Sequence, residues 1–154
     1  MAIDEICNRE VVIASKDTTV LEASRLMRQY HTGDLVIVEE MNGLRGPIGI
    51  VTDRDLVIEV VAMALDSSVI TIGDIMGSEL AVVNESEGVF ETMRYMRTKG
   101  VRRLPVVDVK GALVGIVTLD DLLELLAEEM NELCKTVSNE IKHESQTRST
   151  HVHF

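Results

Sequence analysis

Two short stretches of this chain place a threonine three residues ahead of an aspartate, where an apolar run gives way to a helical one. They are Gly49-Ile50-Val51-Thr52-Asp53-Arg54-Asp55-Leu56 and Gly115-Ile116-Val117-Thr118-Leu119-Asp120-Asp121-Leu122. That spacing admits two kinds of chemistry. In one, Thr52 and Thr118 accept the orphan N–H of the third helical residue, while Asp55 and Asp121 reach back to the cap, and no ligand is needed. In the other, the helix N-terminus offers free N–H groups and its positive dipole end to a phosphate, with the threonine hydroxyl beside it. The aspartate then accepts from two adjacent ribose hydroxyls through its two oxygens. The two uses are compatible.

The elements that position these residues follow from a duplication. Six of the eight positions in the two stretches are identical, and the match extends backwards: Leu35-Val36-Ile37-Val38-Glu39 aligns with Leu104-Pro105-Val106-Val107-Asp108, and Val20–Met27 with Val89–Met96. Each copy reads as a short apolar strand (Val11-Val12-Ile13; Leu80-Ala81-Val82-Val83), a polar turn, and a helix with apolar residues at helical spacing (Val20, Ala23, Met27 and Tyr30; Val89, Met93 and Met96, with Tyr95 aligned). Two β-rich runs follow, joined by Asn42-Gly43 in one copy and Lys110-Gly111 in the other as hairpins. A second helix closes each copy, near 53–64 and 119–133. The expected fold class is α/β (α+β), with two β-α-β-β-α units, each too small to stand alone, packed with pseudo-twofold symmetry about a cleft. The expected boundaries are residues 6–65 for the first unit, 66–78 for a linker with a short helix, 79–133 for the second unit, and 134–154 for a helix end and a polar, mobile tail.

Composition removes several classes of function. A net charge of -11 opposes phosphate polymers and anionic bilayers, so neither nucleic acid nor membrane is an expected partner. Two cysteines, Cys7 and Cys134, lack disulfide or metal spacing and have no identifiable activating partner; they read as free thiols in a cytoplasmic protein. No Ser-His-Asp or Cys-His set is present to support an enzyme, and no cofactor is required. His151 and His153 near the end make a weak metal pair. His31 reads as a cation at a helix C-terminus.

The complete repeat, with Gly100-Val101-Arg102-Arg103-Leu104-Pro105-Val106-Val107-Asp108 ahead of the second Thr/Asp stretch, resembles the CBS domain, and the tandem pair resembles a Bateman module. The resemblance covers about residues 6–133. It implies a regulatory module that senses an adenosine-containing ligand of the AMP, ADP or ATP type and signals to an unidentified partner. S-adenosylmethionine or an NAD-type molecule is an alternative ligand, and a constitutive dimeric scaffold without ligand is an alternative role. The resemblance places ribose acceptors on Asp55 and Asp121 and hydroxyls on Thr52 and Thr118. Basic residues ahead of the Leu-Pro pair hold phosphates in nucleotide-binding relatives, which points to Arg102 and Arg103. Thr18 and Ala23 are implied as pocket residues, with adenine against Ile13 and Ala14 or against Val82 and Val83.

The two sites are expected to be unequal. Where the second copy has Arg102 and Arg103 the first has Gly33 and Asp34, and Arg54 of the first motif aligns with Asp120. Arg54 either contacts a phosphate or is a solvated residue of the first turn. In the last helix Leu122, Leu123, Leu125, Leu126, Met130 and Leu133 form a stripe too broad for one narrow seam. Bateman modules pair through such helices, so a homodimer is expected; packing within one chain is the alternative.

Overall fold

The Asn42-Gly43 dipeptide adopts positive φ at both residues, 53° and 77°, the geometry of a two-residue turn whose twist matches its flanking strands. In the computed structural model, which describes residues 1–149, this turn joins β2 (Asp34–Met41) to β3 (Leu44–Thr52) as an antiparallel pair. β1 (Ile13–Ala14) runs parallel to β2, reached through α1 (Val20–Tyr30), and α2 (Asp53–Leu56) follows β3 and continues as a π-helical turn over Val57–Val61. After α3 (Ile72–Ile75) the same order recurs as β4 (Val83–Asn84), α4 (Val89–Lys99), β5 (Arg103–Val107), β6 (Leu113–Thr118) and α5 (Leu119–Ser149). The result is two three-stranded sheets of orders β1-β2-β3 and β4-β5-β6. Even their irregularities correspond: the register slips between Ile37 and Val38 in one and between Val106 and Val107 in the other. The loop of the second hairpin is longer and is held by Asp108, whose carboxylate accepts from Lys110 N–H at 2.9 Å and Ala112 N–H at 3.0 Å.

Residues 1–118 form one body and the chain from Leu119 a second unit. Within the body, each repeat is completed by a segment that precedes the other in sequence. Ile72 N–H donates to Thr18 C=O at 2.8 Å, Thr71 bridges to Thr19, and the Ile72 side chain, 0% exposed, joins the core of the first repeat with Val20, Ala23, Leu35 and Val51. The N-terminal residues do the same for the second repeat. Ile3 N–H donates to Glu87 C=O at 2.9 Å, Ala2 bridges to Gly88, Ile3 is fully buried, and Asn8 and Ile116 exchange two hydrogen bonds of 2.9 Å. A sheet of three strands with one hairpin leaves apolar surface uncovered, and the exchanged segments bury it. Gly49 and Gly115 of the repeated motifs lie where these segments pass. A Cβ on Gly49 would sit 3.3 Å from Met76, and one on Gly115 would stand 2.8 Å from the Asn8 carbonyl oxygen.

The helix faces follow the expected spacing with one exception. Val20, Ala23 and Met27 of α1 and Val89 and Met96 of α4 are buried, whereas Tyr30 is exposed. Thr92, at the position equivalent to Ala23, is also fully buried, and its hydroxyl donates to Gly88 C=O at 2.8 Å. α5 is longer than the sequence predicts, passing Leu133 and the polar residues from Lys142 to reach Ser149. No glycine or proline interrupts it, and Glu132–Lys135 (3.1 Å) and the back-bonded hydroxyls of Thr136 and Thr147 accommodate its polar half. Leu122 is buried, while every residue from Leu126 to Arg148 is exposed. Of the residues expected to form the mobile tail, those to Ser149 are helical, and 150–154, with the His151/His153 pair, lie outside the described residues.

Candidate functional site

The first Thr/Asp pair is a complete capping box. Thr52 Oγ1 accepts from Asp55 N–H at 3.2 Å, and Asp55 Oδ2 accepts from Thr52 N–H at 2.9 Å. Both side chains are half-buried, and Asp55 Oδ1 accepts no hydrogen bond from the described residues. The capping use is therefore realised, and it occupies only one of the two carboxylate oxygens. A third pair of the same spacing, missed in the sequence because no strand precedes it, lies at Thr71 and Asp74: Thr71 N–H donates to Asp74 Oδ2 at 3.0 Å. Thr118 ends β6 opposite Arg103, and Asp121 falls in the first turn of α5.

Between the repeats lies a cavity of about 280 Å³ lined by Ile50 of β3, by Glu79, Leu80 and Ala81 ahead of β4, and by Val101, Arg102 and Arg103 at the start of β5. Its lining combines the apolar Ile50, Leu80, Ala81 and Val101 with the charged Glu79, Arg102 and Arg103. Thr52 lies two residues beyond Ile50 on the same strand face, roughly 7 Å along β3. Arg102 and Arg103 are brought to this cavity, whose lining includes Ile50 of β3 but neither Thr52 nor Asp55.

Arg103 has a second relationship. Its Nε lies 3.1 Å from Asp34 Oδ2, with the side chains 33% and 22% exposed. The Nε–H does not point at the carboxylate, so the contact is an ion pair without hydrogen-bond alignment. Asp34 and Arg103 hold equivalent positions in the two repeats, opposite Thr52 and Thr118 in their hairpins. Equivalent residues that touch must straddle the pseudo-twofold axis. The aligned Asp and Arg, an inequality between two sites when read in sequence, are partners in space.

The remaining expected residues fall elsewhere. Ile13 and Ala14 line a depression of about 480 Å³ with Lys16, Asp17, Glu39, Glu40 and Arg45, where Lys16 pairs with Glu39 at 3.3 Å and Arg45 with Glu40 at 3.8 Å. Val82 and Val83 line another, of about 310 Å³, with Asn84, Glu87, Glu91 and Tyr95. None of the three cavities is lined by a Thr/Asp pair, and the strand-side wall of the inter-repeat cavity is made by Leu80 and Ala81 rather than by Val82 and Val83. Ala23 is fully buried in the core of the first repeat and is not among the lining of these three cavities, because α1 turns that face onto its own sheet. Thr18 Oγ1 accepts from Ser15 N–H at 3.1 Å within its own turn. Arg54 is exposed. His31 ends α1 through its backbone, in the left-handed region at φ 51°, where the other copy has Gly100 at φ 66°. Cys7 is half-buried, and desolvation pushes its thiol above the ordinary cysteine pKa; Cys134 is exposed. Among the described residues, no group of three or more His, Cys, Asp or Glu is arranged to hold a metal ion, and no helix is long and apolar enough to cross a membrane.

Two β-α-β-β-α repeats, the first with a Thr/Asp-capped helix after its hairpin, define a duplicated α/β fold. The CBS domain matches residues 3–62 and again 72–128, and the chain belongs to the CBS-domain family as a CBS-domain pair. An uncharacterised protein of Methanopyrus kandleri is 39% identical over 81% of this chain, which spans 62% of that relative's length. Hypoxic response protein 1 of Mycobacterium tuberculosis is 32% identical, over 80% of this chain and 84% of that protein. Among solved structures, the CBS domain pair of protein MJ0100 in complex with 5′-methylthioadenosine and S-adenosyl-L-methionine is similar with a TM-score of 0.70 and 25% identity, covering 82% of this chain and 99% of that one.

Proposed function

We propose that this CBS-domain pair is a regulatory sensor, not an enzyme, and that it binds an adenosine-containing ligand in the cavity lined by Ile50, Leu80, Ala81, Arg102 and Arg103. The observation that carries the reading is the half-used Asp55 carboxylate. Oδ2 caps α2 while Oδ1 remains available to accept from a ribose hydroxyl, beside a cavity with an apolar wall for a purine. A solved neighbour holding 5′-methylthioadenosine and S-adenosyl-L-methionine supports the ligand class. Thr118 and Asp121 are the aligned residues of the second repeat. Ligand binding regulates a partner only if it favours one geometry of the repeats over another. The protein acts in the cytoplasm.

We further assign it a homodimer. The exposed apolar residues Leu126, Met130, Leu133, Val137 and Ile141 recur along one face of α5, and Val57, Ile58 and Val61 are exposed on the helix after Thr52.

The competing reading, a ligand-free scaffold, has its own support in the completed capping box. Calorimetry with AMP, ADP, ATP, S-adenosylmethionine, 5′-methylthioadenosine and NADH separates the two. Asp55→Asn keeps an acceptor for the cap but exchanges the open carboxylate oxygen for an amide donor. Loss of binding in Asp55→Asn at unchanged melting temperature supports the sensor. Absence of binding by the unsubstituted protein to every compound leaves the scaffold.

A further inference from the structure

We infer that Asp34 sets the specificity of the inter-repeat cavity, and that its preferred ligand is an adenosine whose 5′ substituent carries no phosphate; this rests on the adenosyl-sensor reading. The guanidinium groups that would draw a phosphate are Arg102 and Arg103. Arg103 is in contact with Asp34 at 3.1 Å, on a pair of side chains two-thirds or more buried, where solvent screens little. A phosphate brought to Arg103 therefore meets a cation whose charge the Asp34 carboxylate already offsets, and its attraction is reduced. Glu79 adds a second carboxylate to the wall. Asp34 and Glu79 together match the formal charge of Arg102 and Arg103. A neutral thioether or a sulfonium at the 5′ position meets no such repulsion, and the apolar wall of Ile50, Leu80, Ala81 and Val101 suits it. Asp34 is also held in place by its strand, opposite Thr52 and through Thr32, whose hydroxyl lies 3.2 Å from the Asp34 C=O, so the carboxylate does not withdraw without moving the start of β2.

The test compares 5′-methylthioadenosine with ADP by calorimetry at fixed ionic strength on the unsubstituted full chain and on Asp34→Asn. The expected result is tighter binding of 5′-methylthioadenosine by the unsubstituted chain. Asn at position 34 then raises ADP affinity about tenfold while changing 5′-methylthioadenosine affinity less than twofold. Arg103→Gln provides the converse arm: it lowers the ADP affinity of the Asp34→Asn chain. Circular dichroism melting on each variant separates misfolding from altered specificity. ADP binding at least as tightly as 5′-methylthioadenosine to the unsubstituted chain, or an Asp34→Asn variant that folds and leaves the ratio unchanged, overturns the inference while leaving the sensor reading intact. Failure of both compounds to bind overturns the inference together with that reading.

Discussion

Gly115 lies directly beneath Asn8: a Cβ at that glycine would stand 2.8 Å from the Asn8 carbonyl oxygen and 2.9 Å from Cys7 Sγ. The same carbonyl accepts from Ile116 N–H at 2.9 Å, so the N-terminal segment is pinned to the second sheet where no side chain fits. Gly115→Ala is predicted to destabilise the fold by roughly 1–3 kcal/mol through overpacking against backbone. Gly49→Ala meets only the flexible end of Met76 and costs less. Urea unfolding of the two variants checks the order, and equal destabilisation contradicts it.

Ile72 and Ile3 each complete the core of a repeat that lies outside their own stretch of sequence. Both are fully buried. Replacing either by alanine is expected to cost about 2–5 kcal/mol. Because the segments are exchanged, each variant is also expected to lower the cooperativity of unfolding of residues 1–118 as a whole, which hydrogen exchange reads at amides of both sheets.

His31 holds a left-handed conformation that its equivalent, Gly100, adopts without strain. His31→Gly is predicted to stabilise the protein by about 1 kcal/mol, since an L side chain in that region costs roughly this much. Thermal melting measures it, and a lowered midpoint contradicts the prediction.

The two thiols are expected to differ sharply. Desolvation raises the pKa of Cys7, so near pH 8 it holds less thiolate than an ordinary cysteine, and it is half-buried besides. Cys134 is exposed on α5. A thiol reagent should modify Cys134 first and Cys7 only slowly, with the Cys7 rate still rising above pH 9. Mass spectrometry of the labelled peptides over time gives both rates.

Much of this architecture was legible in the sequence because its signals are local. The alignment of Val20–Met27 with Val89–Met96, the Asn42-Gly43 turn and the Thr52/Asp55 cap each depend on residues close together along the chain, where spacing sets geometry. The unread features depend on contacts between distant segments. Nothing near Gly115 announces that Asn8 will cross it. Asp34 and Arg103, aligned as alternatives, meet only because the repeats pack about an axis between them. Ala23 is small and lies near a turn, properties that suit a pocket wall and a helix–sheet contact equally, and its burial in the first core was not legible from them. The length of α5 was missed for a different reason: polar residues after Lys142 read as a tail, yet without glycine or proline they continue a helix that has already nucleated.

The central claim, an adenosyl ligand held between the repeats beside Asp55, is tested most directly by amide chemical shifts in a two-dimensional NMR titration with 5′-methylthioadenosine. Saturable shifts are expected at Ile50–Asp55, Glu79–Ala81 and Val101–Arg103, and their loss in Asp55→Asn. Shifts concentrated instead at Ile13–Asp17 or at Val82–Asn84, or no saturable shifts at all, would contradict it.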